Sequence, residues 1–223
     1  MSFEVLWRYA PALVSGFGVT VLCWSAGGAL GLVLGFIVSL LYRLPFALLR
    51  YLLRALIEVV RGTPFLVQLF LLYAGGPYIG LKLSATAAGV VGLGLYSSAY
   101  FAEIFRGGFA AVPQGQIEAA MSVGMSPRDT MLRVTLPAAL IAAVPPIVNM
   151  LIVLSKETVV LSIITVPELM YQMQTMAAET FTAFDAIFAM AVFYWLLVEA
   201  TSQLGRRIEA RVTVFLREEP RPA

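Results

Sequence analysis

"VPQGQIEAAMSVGMSPRDTMLRVTLP", residues 112–137, is a polar, broken element set between two long apolar runs. Pro113 suits a helix start, and Gln114 to Val123 continue it with good helix formers. Gly124 is placed to end that helix. Ser126 then caps a second helix with Pro127 at its first position, and Asp129 in the first turn complements the helix dipole. The second helix runs to Leu136, and Pro137 punctuates the entry into the next apolar run. The pattern is helix–glycine–helix outside the lipid. Ala119 and Ala120 present little bulk, so another protein surface can pack closely there, and the element reads either as a docking knob or as an idle loop.

The rest of the chain explains why such a knob stands out. Its 223 residues are 60% hydrophobic and only 13% charged, with a mean hydropathy of +0.88. Soluble domains carry about a quarter charged residues, and several runs here reach the roughly 20 apolar residues that cross a bilayer. The fold class is an all-α polytopic membrane protein. A net charge of +2 suggests no nucleic-acid partner. The one cysteine, Cys23, allows no intrachain disulfide and no cysteine metal cluster, and there is no histidine to serve as general base or ligand. No metal site and no catalytic constellation is expected. The apolar stretch from Ala10 to Tyr42 is too long for a signal-peptide core and reads as a retained first span.

Five spans are expected, at about 13–41, 63–81, 84–105, 138–162 and 184–204, forming a single transmembrane domain over residues 1–223. Eleven of the fifteen basic residues fall on one side: Arg43, Arg50 and Arg54 after span one, Arg106, Arg128 and Arg133 between spans three and four, and Arg206, Arg207, Arg211, Arg217 and Arg221 after span five. The positive-inside rule makes that side cytoplasmic. The N-terminus is then outside, and the C-terminus and residues 112–137 are cytoplasmic.

Residues 46–61 place Arg50, Arg54, Glu58 and Arg61 on one helix face, with apolar residues on the others. Such a segment is either an interfacial helix with snorkelling arginines or the start of span two with its stripe toward a partner subunit. In "RGTPFLVQ", Gly62 breaks the helix, Thr63 can cap and Pro64 suits a new helix start. Half-helix ends of this kind hold carboxylates in transporters, or simply begin a span. Span three is rich in small residues that let helices approach closely in lipid. Pro145–Pro146 should bend span four.

A family resemblance joins these features. Glu118-Ala119-Ala120, three residues, Gly124, nine residues, then Val134-x-Leu136-Pro137 resembles the EAA loop of ABC-importer permeases, with valine where the family usually has isoleucine. "RGTPFLVQLFLLY" (61–73), "AYFAEIFRGGFAAVPQGQIEAA" (99–120) and "KETVVLS" (156–162) are similar to the polar amino-acid branch, of the histidine, glutamine and arginine type. At 156–160 the family's Lys-x-Thr-Ser-Leu run is replaced by Lys-Glu-Thr-Val-Val. The resemblance covers nearly the whole chain. It implies a type I importer permease fold in a bacterial cytoplasmic membrane, with residues 112–137 forming coupling helices between spans three and four. It also implies a dimer of ATPase subunits that hold ATP and magnesium, and a periplasmic or lipid-anchored solute-binding protein. A second permease subunit, identical or paralogous, would complete the path. Glu118, Ala119, Ala120, Gly124, Ser126, Pro127 and Arg128 are the expected coupling residues. No phosphate-binding GxxxxGK[ST] loop occurs in the chain, so ATP hydrolysis is expected in a partner and this chain is not expected to be an enzyme.

Lys156 and Glu157 interrupt an apolar stretch, where charges are costly unless paired or facing a polar cavity. Adjacent cation and anion suit a zwitterion, lysine for the carboxylate and glutamate for the amine; alternatively both sit solvated at the outer interface. Thr63, Pro64, Gln68, Glu103 and Glu168 are further substrate-site candidates, and Glu103 can instead pair with Arg106. Glu168, Glu179 and Asp185 make the segment between spans four and five acidic, which favours a cationic substrate or a basic face on a binding protein. The competing function is an ion-coupled secondary amino-acid transporter, with Glu103 or Glu157 as ion site. It leaves the cytoplasmic helix–glycine–helix unexplained.

Overall fold

The computed structural model describes residues 3–212; Arg217 and Arg221 lie outside them. Nine α-helices follow in order: α1 Phe3–Leu41, α2 Ala47–Gly62, α3 Phe65–Tyr73, α4 Ala85–Ala110, α5 Gln114–Ser122, α6 Pro127–Thr130, α7 Leu136–Glu157, α8 Leu169–Thr180 and α9 Ala183–Val212. Five spans result if α2 and α3 count as one broken span, alongside α1, α4, the α6–α7 rod and α9.

Helix α4 is the hub, with α1, α2, α3 and α7 all packed on it. Ser84 caps it, accepting from the Ala87 N–H at 3.3 Å. Its meeting with α1 is a zipper of small residues. A Cβ on Gly27 would lie 2.7 Å from Leu93 Cβ, one on Gly35 would lie 2.6 Å from Phe101 Cβ, and one on Gly31 would run into Ser97 Oγ. Those pairs advance in the same direction along both helices, so α1 and α4 are parallel. Without a hydrophobic drive between helices in lipid, this close approach supplies dispersion contacts. Gly108 approaches Ala139 and Ala143, while Gly89 approaches Leu161, so α7 runs antiparallel to α4. The ends of α1 and α4 and the start of α7 therefore share one end of the bundle, which also carries Arg43, Arg106 and α5. A buried core of Cys23, Phe65, Leu69, Leu93, Phe101 and Leu154 fills the middle. The outer surface is apolar, with Val14, Leu22, Val33, Ile37, Phe188 and Trp195 exposed, the reverse of a soluble domain and the pattern of lipid contact.

Three expectations need correction. The second span is not a continuous helix over 63–81: α2 and α3 meet at 104° across Thr63–Pro64, and after Tyr73 only a short 3-10 turn, Gly76–Ile79, follows. The pre-proline residue resists the helical conformation, and Thr63 is extended at φ −111°, ψ 141°. Second, the helix after Ser126 does not stop at Pro137. It passes through a π-helical turn, Met131–Thr135, directly into α7. The Leu136 N–H bonds to the Met131 carbonyl five residues back, a widening that suits a proline without an N–H at the next position. Third, the helix that carries the first span begins ten residues before 13, at Phe3. Helix α7 also continues through Pro145 and Pro146. Helix α8, unforeseen in the sequence, packs on α1 and α9.

Candidate functional site

The first site is the exposed elbow of α5 and α6. Helix α5 ends in a complete Schellman motif: the Gly124 N–H reaches the Met121 carbonyl at 3.0 Å and the Met125 N–H reaches Ala120 at 3.2 Å. This requires Gly124 at φ +86°. Two residues on, Ser126 Oγ accepts the Asp129 N–H at 3.1 Å and donates to Asp129 Oδ2 at 2.6 Å. Asp129 in turn holds Arg133 at 3.5 Å. The turn is thus locked on both sides by local bonds. Ala120 faces inward, whereas Glu118, Ala119, Gly124, Ser126, Pro127 and Arg128 are exposed. Val123 is 80% exposed and Met121 47%. An apolar pair thus stands exposed at the tip of an otherwise polar elbow, and sequence reading passed over both residues.

The second site is a polar track on α4. Tyr96, Tyr100 and Glu103 fall at i, i+4 and i+7, on one helix face. The two tyrosine hydroxyls are 3.3 Å apart. Phe65, at the start of α3, stacks at 5.1 Å against Tyr96. Arg61, the last charged residue of α2, places its guanidinium 5.3 Å from the Tyr100 ring centroid. Glu103 accepts two bonds from Arg106, at 3.1 and 2.5 Å, so the expected local pair is present. At the other end of the track, Glu157 lies within electrostatic reach of Tyr96. Spacing at i, i+4, i+7 was the available signal for this face; the sequence reading weighed only the small residues of span three and passed over both tyrosines.

The other substrate candidates separate. Lys156 turns toward α9 and lines a hollow of about 410 Å³ with Val159, Tyr194 and Trp195, while Glu157 serves the α4 side. The structure thus does not bring the two into one pocket, and among the described residues neither forms an ion pair. Gln68 is committed to the α2–α3 break. Its amide nitrogen reaches the Val60 carbonyl at 2.7 Å, Thr63 Oγ1 at 2.8 Å and the Thr63 carbonyl at 3.1 Å. Thr63 also returns a bond to Val59. Pro64 caps α3 from an extended conformation.

Glu168, in the connection between α7 and α9, is fully enclosed. It caps α8 by accepting the Tyr171 N–H at 2.9 Å, and it also accepts from Thr20 at 3.3 Å and Tyr194 at 3.5 Å. Burial pushes its carboxyl up to about 7, against these bonds, which favour the charged form. It ties three helices together and no cation faces it in these contacts. No group of metal-binding side chains occurs among the described residues.

A broken-span helical bundle with a rigid exposed elbow between its third and fourth spans defines a type I ABC importer permease fold. The chain belongs to the family of inner membrane components of binding-protein-dependent transport systems, whose pattern matches residues 29–214. It is similar to "Probable amino-acid ABC transporter permease protein YckA" of Bacillus subtilis, 38% identical over 92% of this chain and 91% of that one. It is also similar to the glutamine transport system permease protein GlnP of Escherichia coli, 33% identical over 96% and 98%. Among solved structures, an amino acid ABC transporter crystallised with histidines superposes with a TM-score of 0.89 at 33% identity, covering 95% of this chain and 99% of that one. The MetNI methionine transporter, at 24% identity and a TM-score of 0.80, shares the fold. The protein is therefore a multi-pass inner-membrane transport permease.

Proposed function

We propose that this chain is the membrane-spanning subunit of an ABC importer for a polar amino acid, driven by ATP hydrolysis in partner ATPase subunits and fed by an external solute-binding protein. The carrying observation is the elbow: a glycine-locked, capped turn with Val123 and Met121 exposed, fused without a break to a spanning helix. A push or pull at residues 118–128 passes into α7 as a rod, and so to Lys156 and Glu157 at its far end. Glu118, Ala119, Ala120, Gly124, Ser126, Pro127 and Arg128 form the seat for the ATPase, which binds the ATP and magnesium. Two copies of the chain, or one with a paralogue, enclose the path. The orientation follows from the arginines: elbow and C-terminus cytoplasmic, N-terminus outside. Relatives named for amino acids and glutamine support the substrate class, and Glu157 with the Tyr96–Tyr100 face offers polar groups to it.

The test is reconstitution of the chain with its candidate ATPase and binding protein in proteoliposomes. ATP-dependent amino-acid uptake is expected, and Gly124→Asp should abolish ATPase association or coupling while the bundle stays folded, since a side chain at 124 meets nothing in its own chain. Uptake driven by an ion gradient without ATP would overturn the reading in favour of a secondary transporter.

A further inference from the structure

A small cavity of about 120 Å³ lies between α2 and α4 near the end of α1, lined by Tyr42, Arg54, Glu58, Arg61, Glu103 and Arg106, with Ile57 behind them. Its walls carry three guanidiniums and two carboxylates. Arg106 is matched to Glu103 through two bonds, and Arg54 to Glu58 at 3.4 Å. Arg61 is left over: among the described residues no carboxylate lies within ion-pair distance of it; its guanidinium sits 5.3 Å from the Tyr100 ring centroid and acts on Glu103, already bonded to Arg106, only at longer range. The cavity therefore holds one uncompensated positive charge. A cation–π contact with an aromatic face uses none of the guanidinium N–H groups, which leaves the fork available to a two-oxygen anion.

We propose that Arg61 is an inner docking group for the carboxylate of the transported amino acid, reached along the Tyr96–Tyr100 face of α4; this rests on the importer reading above. A monoanionic oxyanion neutralises the cavity without displacing an existing ion pair, so binding there sacrifices no internal contact. The same chemistry exists in a lipid phosphate. The substrate carboxylate is favoured because the cavity adjoins the polar track, which leads back to Glu157, whereas the exposed apolar residues of α2, Leu48, Leu52 and Leu56, lie on the faces a lipid would approach. Arg61 also sits at the 104° break between α2 and α3, so a change in that angle moves the docking group relative to α4.

The experiment compares wild type, Arg61→Gln, Arg61→Lys and, as a control on the same charged face, Arg50→Gln. Each complex is placed in vesicles of phosphatidylethanolamine with phosphatidylglycerol, and radiolabelled glutamine and a panel of other polar amino acids serve as probes. Arg61→Gln should lower maximal uptake about tenfold, the loss of one charge-assisted contact. The concentration of loaded binding protein needed for half-maximal rate should stay unchanged, because docking occurs at the other end. Arg61→Lys should be intermediate, and Arg50→Gln should match wild type. If Arg61→Gln fails to assemble, the Arg61→Lys complex reads the same point: uptake equal to wild type overturns the assignment, and a several-fold fall with normal ATPase supports it. Uptake by Arg61→Gln at the wild-type rate overturns the Arg61 assignment alone. Failure of wild type to take up any of the amino acids overturns the importer reading with it. In vesicles of phosphatidylcholine alone, which carry no net-anionic headgroup, a wild-type rate that falls to that of Arg61→Gln assigns the site to the headgroup of an anionic lipid and overturns the substrate role.

Discussion

The side-chain amide of Gln68 sits 2.7 Å from the Val60 carbonyl and 2.8 Å from the Thr63 hydroxyl, bridging the break between α2 and α3. A helix end leaves carbonyls without partners, and in lipid those cannot be solvated. Gln68 closes α2 at the Val60 carbonyl, beside the Thr63 hydroxyl that donates to Val59. Gln68→Leu removes the amide donor and should cost about 1–3 kcal/mol. Gln68→Glu should cost more, since a carboxylate repels the carbonyls it faces. Thermal unfolding of the purified chain in detergent checks the order; equal midpoints for all three proteins would show that the break needs no donor.

The Schellman turn at Gly124 makes a second, separable prediction. A Cβ at Gly124 collides with nothing in its own chain, but φ +86° is a region L-residues enter at about 1–2 kcal/mol. Gly124→Ala should lower the unfolding midpoint of the bundle by only a few degrees and weaken ATPase association about tenfold. Gly124→Asn should be milder, because asparagine tolerates this conformation. Pull-down of the ATPase with each variant measures it. Equal association for all three would remove the elbow as the seat.

The elbow was legible because its signals are local: glycine, Ser126 and Pro127 each act within one turn, and the structure forms the cap and the αL turn where those residues stand. The spans were legible because apolar length is a sum that tolerates errors of several residues. What the sequence hid depends on neighbours. Pro137 reads as a stop, yet a π turn absorbs it. Glu168 reads as a free acid in an acidic loop, yet Thr20 and Tyr194, distant in the chain, enclose it. Lys156 and Glu157 are adjacent in the chain and so looked like one site, but successive side chains on a helix diverge by about 100°.

Contact between α1 and α4 predicts a strong position dependence among glycines of one helix. Gly18 and Gly35 both lie on α1. A Cβ on Gly18 meets nothing within 4 Å, while one on Gly35 meets Phe101 Cβ, the Ser98 carbonyl at 2.8 Å and the Ala102 nitrogen at 2.9 Å. Backbone atoms cannot rotate away. Gly18→Leu should purify as a folded chain in wild-type yield. Gly35→Leu should force the helices apart and sharply reduce folded protein, measured by fluorescence-detected size exclusion. Similar yields for the two would mean that the zipper does not hold the hub.

Glu168 makes the stability of the bundle depend on pH. Its carboxyl is raised from 4.5 to about 7 in the folded chain, so the folded state holds the proton more tightly than the unfolded one. The stabilisation is complete below about pH 4.5 and is lost as pH rises through 7, on the order of 3 kcal/mol in all. The chain contains no histidine, so no side chain with an ordinary pKa in that window obscures the effect. Glu168→Gln keeps a carbonyl oxygen to accept from the Tyr171 N–H and cannot ionise. The unfolding midpoint of wild type should fall between pH 5 and pH 8, at constant salt and detergent, while that of Glu168→Gln stays level and ends the higher of the two. Parallel curves would show that Glu168 is already charged in its enclosure, with the bonds from Thr20, Tyr194 and the α8 backbone outweighing the cost of burial.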